Sequence, residues 1–408
     1  MIIKKINEKD YDNFVRKNVL KSFYQSIEWY KVKKDEGKKC ELLGLYIDEK
    51  LVGASLVIYS RILKKYYYAY ASRGFLYDYQ NLLEFKNSLK MYFKKKKVVF
   101  FRMDPPIILA TYDKDLKKDL IWESNQLIES LKYYGFRHYG FNQGFETDQF
   151  RFIHRLDLKN NFDEQMIEFS KSTKKNMELA KFRGVEIKKG NLKDIDMANE
   201  LFNMTADRKK IVAFKKSFYK YIISEFKDKA NLYMVYINKK KYLDNLENKI
   251  IDDQNKLEEL ETKKQHDHVG HKLKSQEQLL LNNIKKWQEE LTVVKNMKDF
   301  TNIAAMLTIT KYDEVVSFIS GMDNKYRKFC PKYVMYPEMI KEAILKKLKY
   351  VNFLGVKNIF NKNDPDYGMY EVKRSFGGKT IEYIGEFDLP INKFLYFVYL
   401  VNRKIKRR

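Results

Sequence analysis

The sequence has few cysteines and none of the common catalytic signatures. Only Cys40 and Cys330 occur, far apart in the chain, so neither a disulfide framework nor a thiolate metal site is expected. No run approaches the roughly 20 apolar residues that span a bilayer. The opening Met1-Ile2-Ile3-Lys4-Lys5 lacks the apolar core of a secretory signal, and a cytoplasmic location is expected. There is no G-x-x-x-x-G-K-[ST], no H-E-x-x-H and no G-x-S-x-G. The glycine-rich pyrophosphate loop of acyl-coenzyme-A transferases is also missing. His266, His268 and His271 cluster, but a short exposed histidine-rich loop usually coordinates nothing, so no metal is expected.

Acid is scarce relative to base. Lys plus Arg outnumber Asp plus Glu by 80 to 54, a net charge of +26. Such an excess suits polyanionic partners: RNA, nucleotide diphosphates or an anionic membrane surface. A codon bias toward lysine gives the same number, and composition does not choose between the two. With 408 residues, 44% of them hydrophobic, the chain is long enough for two cores.

The apolar pattern alternates between helical and strand periods. Leu42–Ile47 and Leu51–Tyr59 read as a hairpin, and Val98–Met103 reads as a buried strand stopped by Asp104-Pro105-Pro106. Residues 119–134, 162–183 and 194–226 carry helical spacing. Strands are expected at Val185–Lys188 and Leu232–Ile237, and a second hairpin from Ala304–Ile309 and Val315–Ser320. Between them, Leu243, Leu246, Ile250, Asp253, Leu257 and Leu260 recur at 3-4 spacing. Leu273, Glu277, Leu280, Ile284, Trp287, Leu291 and Val294 resume it. The expectation is an antiparallel coiled-coil hairpin over residues 239–297, projecting roughly 35–40 Å. Phe394–Val401, followed by five cations, reads either as a core helix with a frayed basic end or as a segment lying on an anionic membrane.

Gln25-Ser26-x-x-Trp29-x-x-x-Lys33, Ser72-Arg73-Gly74 and Arg102-Met103-Asp104-Pro105 are similar to motifs of the FemABX family. So are Ser172-Thr173-Lys174-Lys175-Asn176 and, most specifically, the stretch from Gly355 to Ile391. That stretch holds Tyr367-Gly368, Lys373, Phe376-Gly377-Gly378 and Glu382-Tyr383-Ile384-Gly385-Glu386. The resemblance implies an α/β fold of two tandem acetyltransferase-like (GNAT-like) domains with a coiled-coil arm inserted in the second. The expected division is 1–155, with 383–408 returning to it, and 156–382.

It further implies an aminoacyltransferase that moves an amino acid from aminoacyl-tRNA to the side-chain amine of a peptidoglycan stem peptide. The acceptor would be UDP-MurNAc-pentapeptide or its lipid-linked form, lipid II. No cofactor is expected, because the ester is already activated and positioning with charge stabilisation can supply the acceleration. By resemblance Lys373 is the residue that steadies the oxyanion, although Val372 before it stands where the family often has phenylalanine. Lys33 would meet the acceptor diphosphate. Trp29, Arg73, Tyr79, Arg208, Tyr219, Tyr367 and Phe376 are further substrate-binding candidates. A base must take the proton of the attacking amine. Asp104 is one candidate, and proton transfer through the tRNA's vicinal hydroxyl is the other. The rival reading is a non-catalytic RNA-binding protein of the same fold, and a third is a membrane-surface scaffold built on residues 394–408.

Overall fold

The computed structural model describes residues 1–63, 65–144, 147–266 and 271–406. His268 of the histidine cluster, and Arg407 and Arg408 of the tail, lie outside the described residues.

Two sheets carry the fold. The first runs Ile2–Lys5, Lys39–Ile47, Lys50–Leu63, Tyr66–Ala71, Val98–Met103, Phe387–Pro390 and Arg137–His138 in spatial order. The second runs Val185–Gly190, Ala230–Asn238, Phe300–Lys311, Glu314–Met322, Tyr350–Val356, Phe152–Asp157, Lys379–Tyr383, Ile108–Tyr112 and Lys118–Leu120. The two tandem acetyltransferase-like units are therefore present, but a cut at residue 155 does not follow the sheets. The strand Phe152–Asp157 and the hairpin Ile108–Leu120 pair within the second sheet. The segment 1–155 thus lends three strands to the second sheet, while every strand of the first sheet comes from that segment or from the stretch that returns after residue 383.

Each unit holds one parallel strand pair, and the two pairs differ. In the first unit Tyr66–Ala71 and Val98–Met103 stay paired down to Ala71 and Met103. In the second, Glu314–Met322 and Tyr350–Val356 pair only from Glu314–Tyr350 to Val316–Asn352. Beyond that point the ladder stops. Asn352 Oδ1 accepts from the amide of Leu354 at 2.9 Å, and Leu354 takes a left-handed φ of 57°, which turns the strand away. The opening between these strands is the cleft described below.

Several expected elements are interrupted where a cap is available. The helical stretch 162–183 splits into Phe162–Ile167 and Lys171–Phe182, because Ser170 accepts from the amide of Thr173 and starts a new helix. Residues 194–226 divide into Ile195–Lys209 and Lys216–Phe226, with Lys210 left-handed between them.

The long helices Lys239–His266 and His271–Lys295 pack side by side in the loop between the paired strands Ala230–Asn238 and Phe300–Lys311. Asp253, the polar residue in the expected seam, is buried. Its carboxylate accepts from the Trp287 indole at 3.2 Å across the helices and from Lys249 at 2.8 Å. A buried carboxylate with two donors keeps its hydrogen bonds, so the seam tolerates it.

Candidate active site

The cleft is walled by Ser317–Met322 on one side and by Phe353, Leu354 and Gly355 on the other. Its rim carries Arg208 and Lys209 from the end of the helix Ile195–Lys209. Gly321 lets that helix approach, since a Cβ there would lie 2.3 Å from the Leu201 carbonyl oxygen. Lys332 opens the 14-residue helix Lys332–Leu345 at the same rim, where the positive end of the helix dipole adds to the cations. Arg327, Lys210 and Asp366 extend the mouth outward. Asp366 partly offsets this charge through Lys357 at 2.8 Å and Lys209 at 3.5 Å.

Lys373 reaches the cleft floor from the short helix Tyr367–Arg374. It is 6% exposed, and its Nζ donates to the Gly355 carbonyl at 2.7 Å. Burial, then Lys332 and Lys209, push its pKa well below the usual lysine value. Lys332 is pushed down to about 8, by burial first and then by Lys209 and Arg208. Closely spaced cations with little counter-charge form a site suited to an anion.

The segment after Lys373 is built for close approach. Gly377 and Gly378 have φ of 87° and 85°, and a Cβ on Gly378 would lie 2.4 Å from the Arg155 carbonyl oxygen. His154, held neutral by burial with its pKa near 4, bonds the Gly377 carbonyl at 2.8 Å. Thr173, from the Ser172–Asn176 motif, donates to Ser375 Oγ at 2.7 Å. Two motifs distant in sequence therefore fix one turn.

A second cavity lies across Leu354, which lines both. It is lined by Arg73, Arg155, Tyr24, Tyr383, Glu314 and Asn352, among others. Arg73 stacks over the Tyr383 ring at 4.5 Å and Arg155 over Tyr350 at 4.1 Å. Asp104 lies behind Arg73 and lines neither space. It accepts from the Arg73 amide at 2.8 Å and from Tyr70 at 3.0 Å. Burial raises its pKa to about 6, opposed by Arg73. Arg73 also donates to the Phe150 carbonyl, and the Phe150 ring lies against Gly355. A line of contacts thus joins Asp104 and Arg73 to the carbonyl that holds Lys373.

Of the residues singled out from the sequence, the structure brings Lys373 and Arg208 together in one cleft. Lys33 lies instead at the seam between the units. Its Nζ pairs with Glu36 at 2.6 Å and sits over Trp29 and Phe218. Trp29 is buried there among Phe23, Tyr24, Phe218 and Phe318. Tyr79 is buried in the first core with its hydroxyl on the Phe75 carbonyl. Tyr219 and Phe376 are fully buried core residues, Phe376 against Phe169 and Tyr336. Tyr367 opens the helix that carries Lys373 and packs in a core cluster. None of these four ring residues lines either cavity.

Sequence reasoning missed Lys209, Lys332, Phe150 and Arg155. Among 80 basic residues nothing distinguishes the two lysines, and only folding gathers them. Gly355 offers a direct check of the contact line. A Cβ there would meet Phe150 Cγ at 2.2 Å. Gly355→Ala is expected to cost about 1–3 kcal/mol of stability through overpacking. It should also lower turnover by displacing the Lys373 acceptor. Urea denaturation and a turnover assay on the same preparation would measure both, and an unchanged turnover would break the line from Phe150 to Lys373.

A family model described as the FemAB family matches residues 6–404. Aminoacyltransferase FemA of Staphylococcus epidermidis (strain ATCC 35984) is 27% identical, over 98% of this chain and 99% of its own. Aminoacyltransferase FemA of Staphylococcus aureus (strain bovine RF122) is 26% identical, over 99% of this chain and 98% of its own. Among solved structures, FemX superposes with a TM-score of 0.72 at 22% identity, covering 98% of this chain and 99% of that one. That last likeness speaks for the fold, and the match along nearly the whole sequence speaks for the lineage: the chain belongs to the FemAB family.

Proposed function

We propose that this protein transfers an amino acid from aminoacyl-tRNA to the side-chain amine of the lysine, or equivalent diamino acid, in a peptidoglycan stem peptide. The acceptor takes one of two forms, lipid II or UDP-MurNAc-pentapeptide. The observation that carries this reading is the buried Lys373 amine on the floor of a cationic cleft. The names of the related aminoacyltransferases supply the reaction class.

In the mechanism, the neutral acceptor amine attacks the ester carbonyl and a carbon–nitrogen bond forms. The carbonyl oxygen becomes an oxyanion, which the Lys373 ammonium stabilises. The bond to the ribose oxygen then breaks, and that oxygen takes up the proton the amine releases. Lys373 must be charged for this role, although burial and neighbouring cations disfavour its charge. Phosphates bound beside Lys332 and Lys209 would offset those cations and favour the ammonium. Donor binding thereby prepares the catalytic group.

The distribution of charge favours an RNA contact on the body rather than the arm. Residues 239–297 hold 12 lysines against 11 acidic residues, so nearly all of the net +26 lies elsewhere. The Lys332 pKa of about 8 gives a signed expectation. As pH rises through that value the side chain loses its charge, so donor KM should rise above pH 8. Lys332→Arg, which stays charged, should flatten that rise. A donor KM independent of pH in the wild type would remove Lys332 from the site.

The test of the whole reading is transfer of labelled amino acids from a mixed aminoacyl-tRNA pool to each acceptor form. Product on either form supports it. Tight tRNA binding without product would favour the RNA-binding alternative.

A further inference from the structure

The helix Lys393–Lys406 packs against the first sheet by one face only. Tyr396 is buried there, with its ring 5.1 Å from Phe100 and its hydroxyl donating to Asp388 at 2.9 Å. Tyr399 adds a second contact to Phe100 at 4.8 Å. Phe394, Phe397 and Val401 are 73%, 64% and 41% exposed. Their spacing of three and four places them on a single face of the helix, away from the sheet. A helix anchored on one side with bare phenylalanines on the other needs an occupant for that face.

The charges carried by this stretch of sequence say which. From Ile391 to Arg408 there is no acidic residue, and Lys393, Arg403, Lys404, Lys406, Arg407 and Arg408 supply six cations. The adjoining helix Leu82–Lys94 adds to them: burial lowers the Lys90 pKa, and Lys86 and Lys393 lower it further. Lys94, Lys95 and Lys97, all exposed, lead into the strand Val98–Met103 on which the C-terminal helix packs. A second copy of this chain would bring the same cations and be repelled. An anionic surface would be drawn in, and apolar rings flanked by cations suit an interface between water and hydrocarbon. Among the described residues no helix is long and apolar enough to cross a membrane, so the contact is a surface one.

We propose that the helix Lys393–Lys406 lies on an anionic lipid bilayer, inserting Phe394, Phe397 and Val401 while the surrounding lysines and arginines meet the headgroups. This goes beyond the transfer reaction and does not rest on it. The buried Tyr396–Asp388 contact makes the anchor rigid with the first unit, so docking fixes the orientation of the body.

The experiment is co-sedimentation of the full chain with vesicles of phosphatidylglycerol and phosphatidylcholine, and with vesicles of phosphatidylcholine alone. Wild type should sediment with the first and stay soluble with the second. The double variant Phe394→Ser/Phe397→Ser should bind at least about tenfold more weakly, the loss expected when apolar burial worth roughly 1.4 kcal/mol is removed. Its melting temperature should not change, since both rings are exposed. The triple variant Arg403→Gln/Lys404→Gln/Lys406→Gln should lose the preference for phosphatidylglycerol. Equal binding to both vesicles, failure of the wild type to sediment, or an aromatic variant that binds like the wild type would overturn the proposal. A matched loss of tRNA affinity in the aromatic variant would also overturn it, by assigning the face to RNA.

Discussion

Lys373→Met is expected to raise the thermal stability of the protein while lowering aminoacyl transfer by about 100- to 1000-fold. The two effects share one cause. Lys373 is buried, and the neighbours that perturb it most are the cations Lys332 and Lys209. Its main compensation is a hydrogen bond to the Gly355 carbonyl. Methionine has similar length and no charge to desolvate, so the folded state gains, less about 1 kcal/mol for the lost hydrogen bond. A net gain of about 1–2 kcal/mol is expected. The sign of the pH dependence follows from the direction of the shift. A lysine whose folded pKa is lowered binds fewer protons in the folded state than in the unfolded one. Its unfavourable contribution is therefore relieved as pH rises toward the unfolded value. The advantage of the methionine variant should be largest near pH 6 and shrink toward pH 9. Melting curves at both pH values, with transfer assays beside them, would check this. A less stable variant would mean that Lys373 is a structural residue, and unimpaired transfer would remove it from the chemistry.

The same residue shows how much the sequence revealed. The strands at 42–47, 51–59 and 98–103 and the hairpin after residue 300 were legible because their apolar alternation is local. The two long helices were legible because a 3-4 spacing sustained over two stretches fits little else, and even the polar seam residue, Asp253, finds a donor in Trp287. The hairpin Ile108–Leu120 was not legible. Its outer strand, Lys118–Leu120, is three exposed residues that pair with Ile108–Tyr112, and that strand takes its own place from Lys379–Tyr383, far along the chain. The motif residues divided for a related reason. A resemblance marks positions that matter without saying whether they touch a ligand. Tyr79, Tyr219 and Phe376 occupy cores, Gly378 permits a backbone approach, and Lys373 alone among the late motif's side chains combines burial with a cleft. Lys332 and Lys209 had no motif at all. Their significance is in being beside Lys373, which is a property of the fold.

Arg102→Leu should cause a larger loss of stability than Gly355→Ala, and its origin also lies far apart in sequence. Arg102 is 2% exposed and makes a two-point contact with Asp388, at 2.8 Å from Nε and 3.0 Å from Nη2. Its Nη1 meets Asp148 at 2.7 Å and Glu386 at 3.3 Å. The side chain therefore ties the strand Val98–Met103 to Phe387–Pro390, the segment that returns to close the first sheet. Leucine fills part of the space but leaves two buried carboxylates without their cation. Breaking such a pair from one side costs about 3–5 kcal/mol, far more than the pair contributes relative to an apolar replacement of both partners. Burial already holds Glu386 well above the usual carboxylate range, and Arg102 is the first group opposing it. Without Arg102 the folded-state pKa of Glu386 rises further. A carboxylate with a raised folded pKa destabilises the folded state increasingly as pH climbs from its unfolded value toward that folded value. The deficit of the variant should accordingly be greatest at pH 8 and narrow at pH 5, where the folded Glu386 can hold a proton. Urea denaturation of both proteins at the two pH values measures it. A deficit independent of pH would mean that lost packing, not uncompensated charge, is what the arginine prevents.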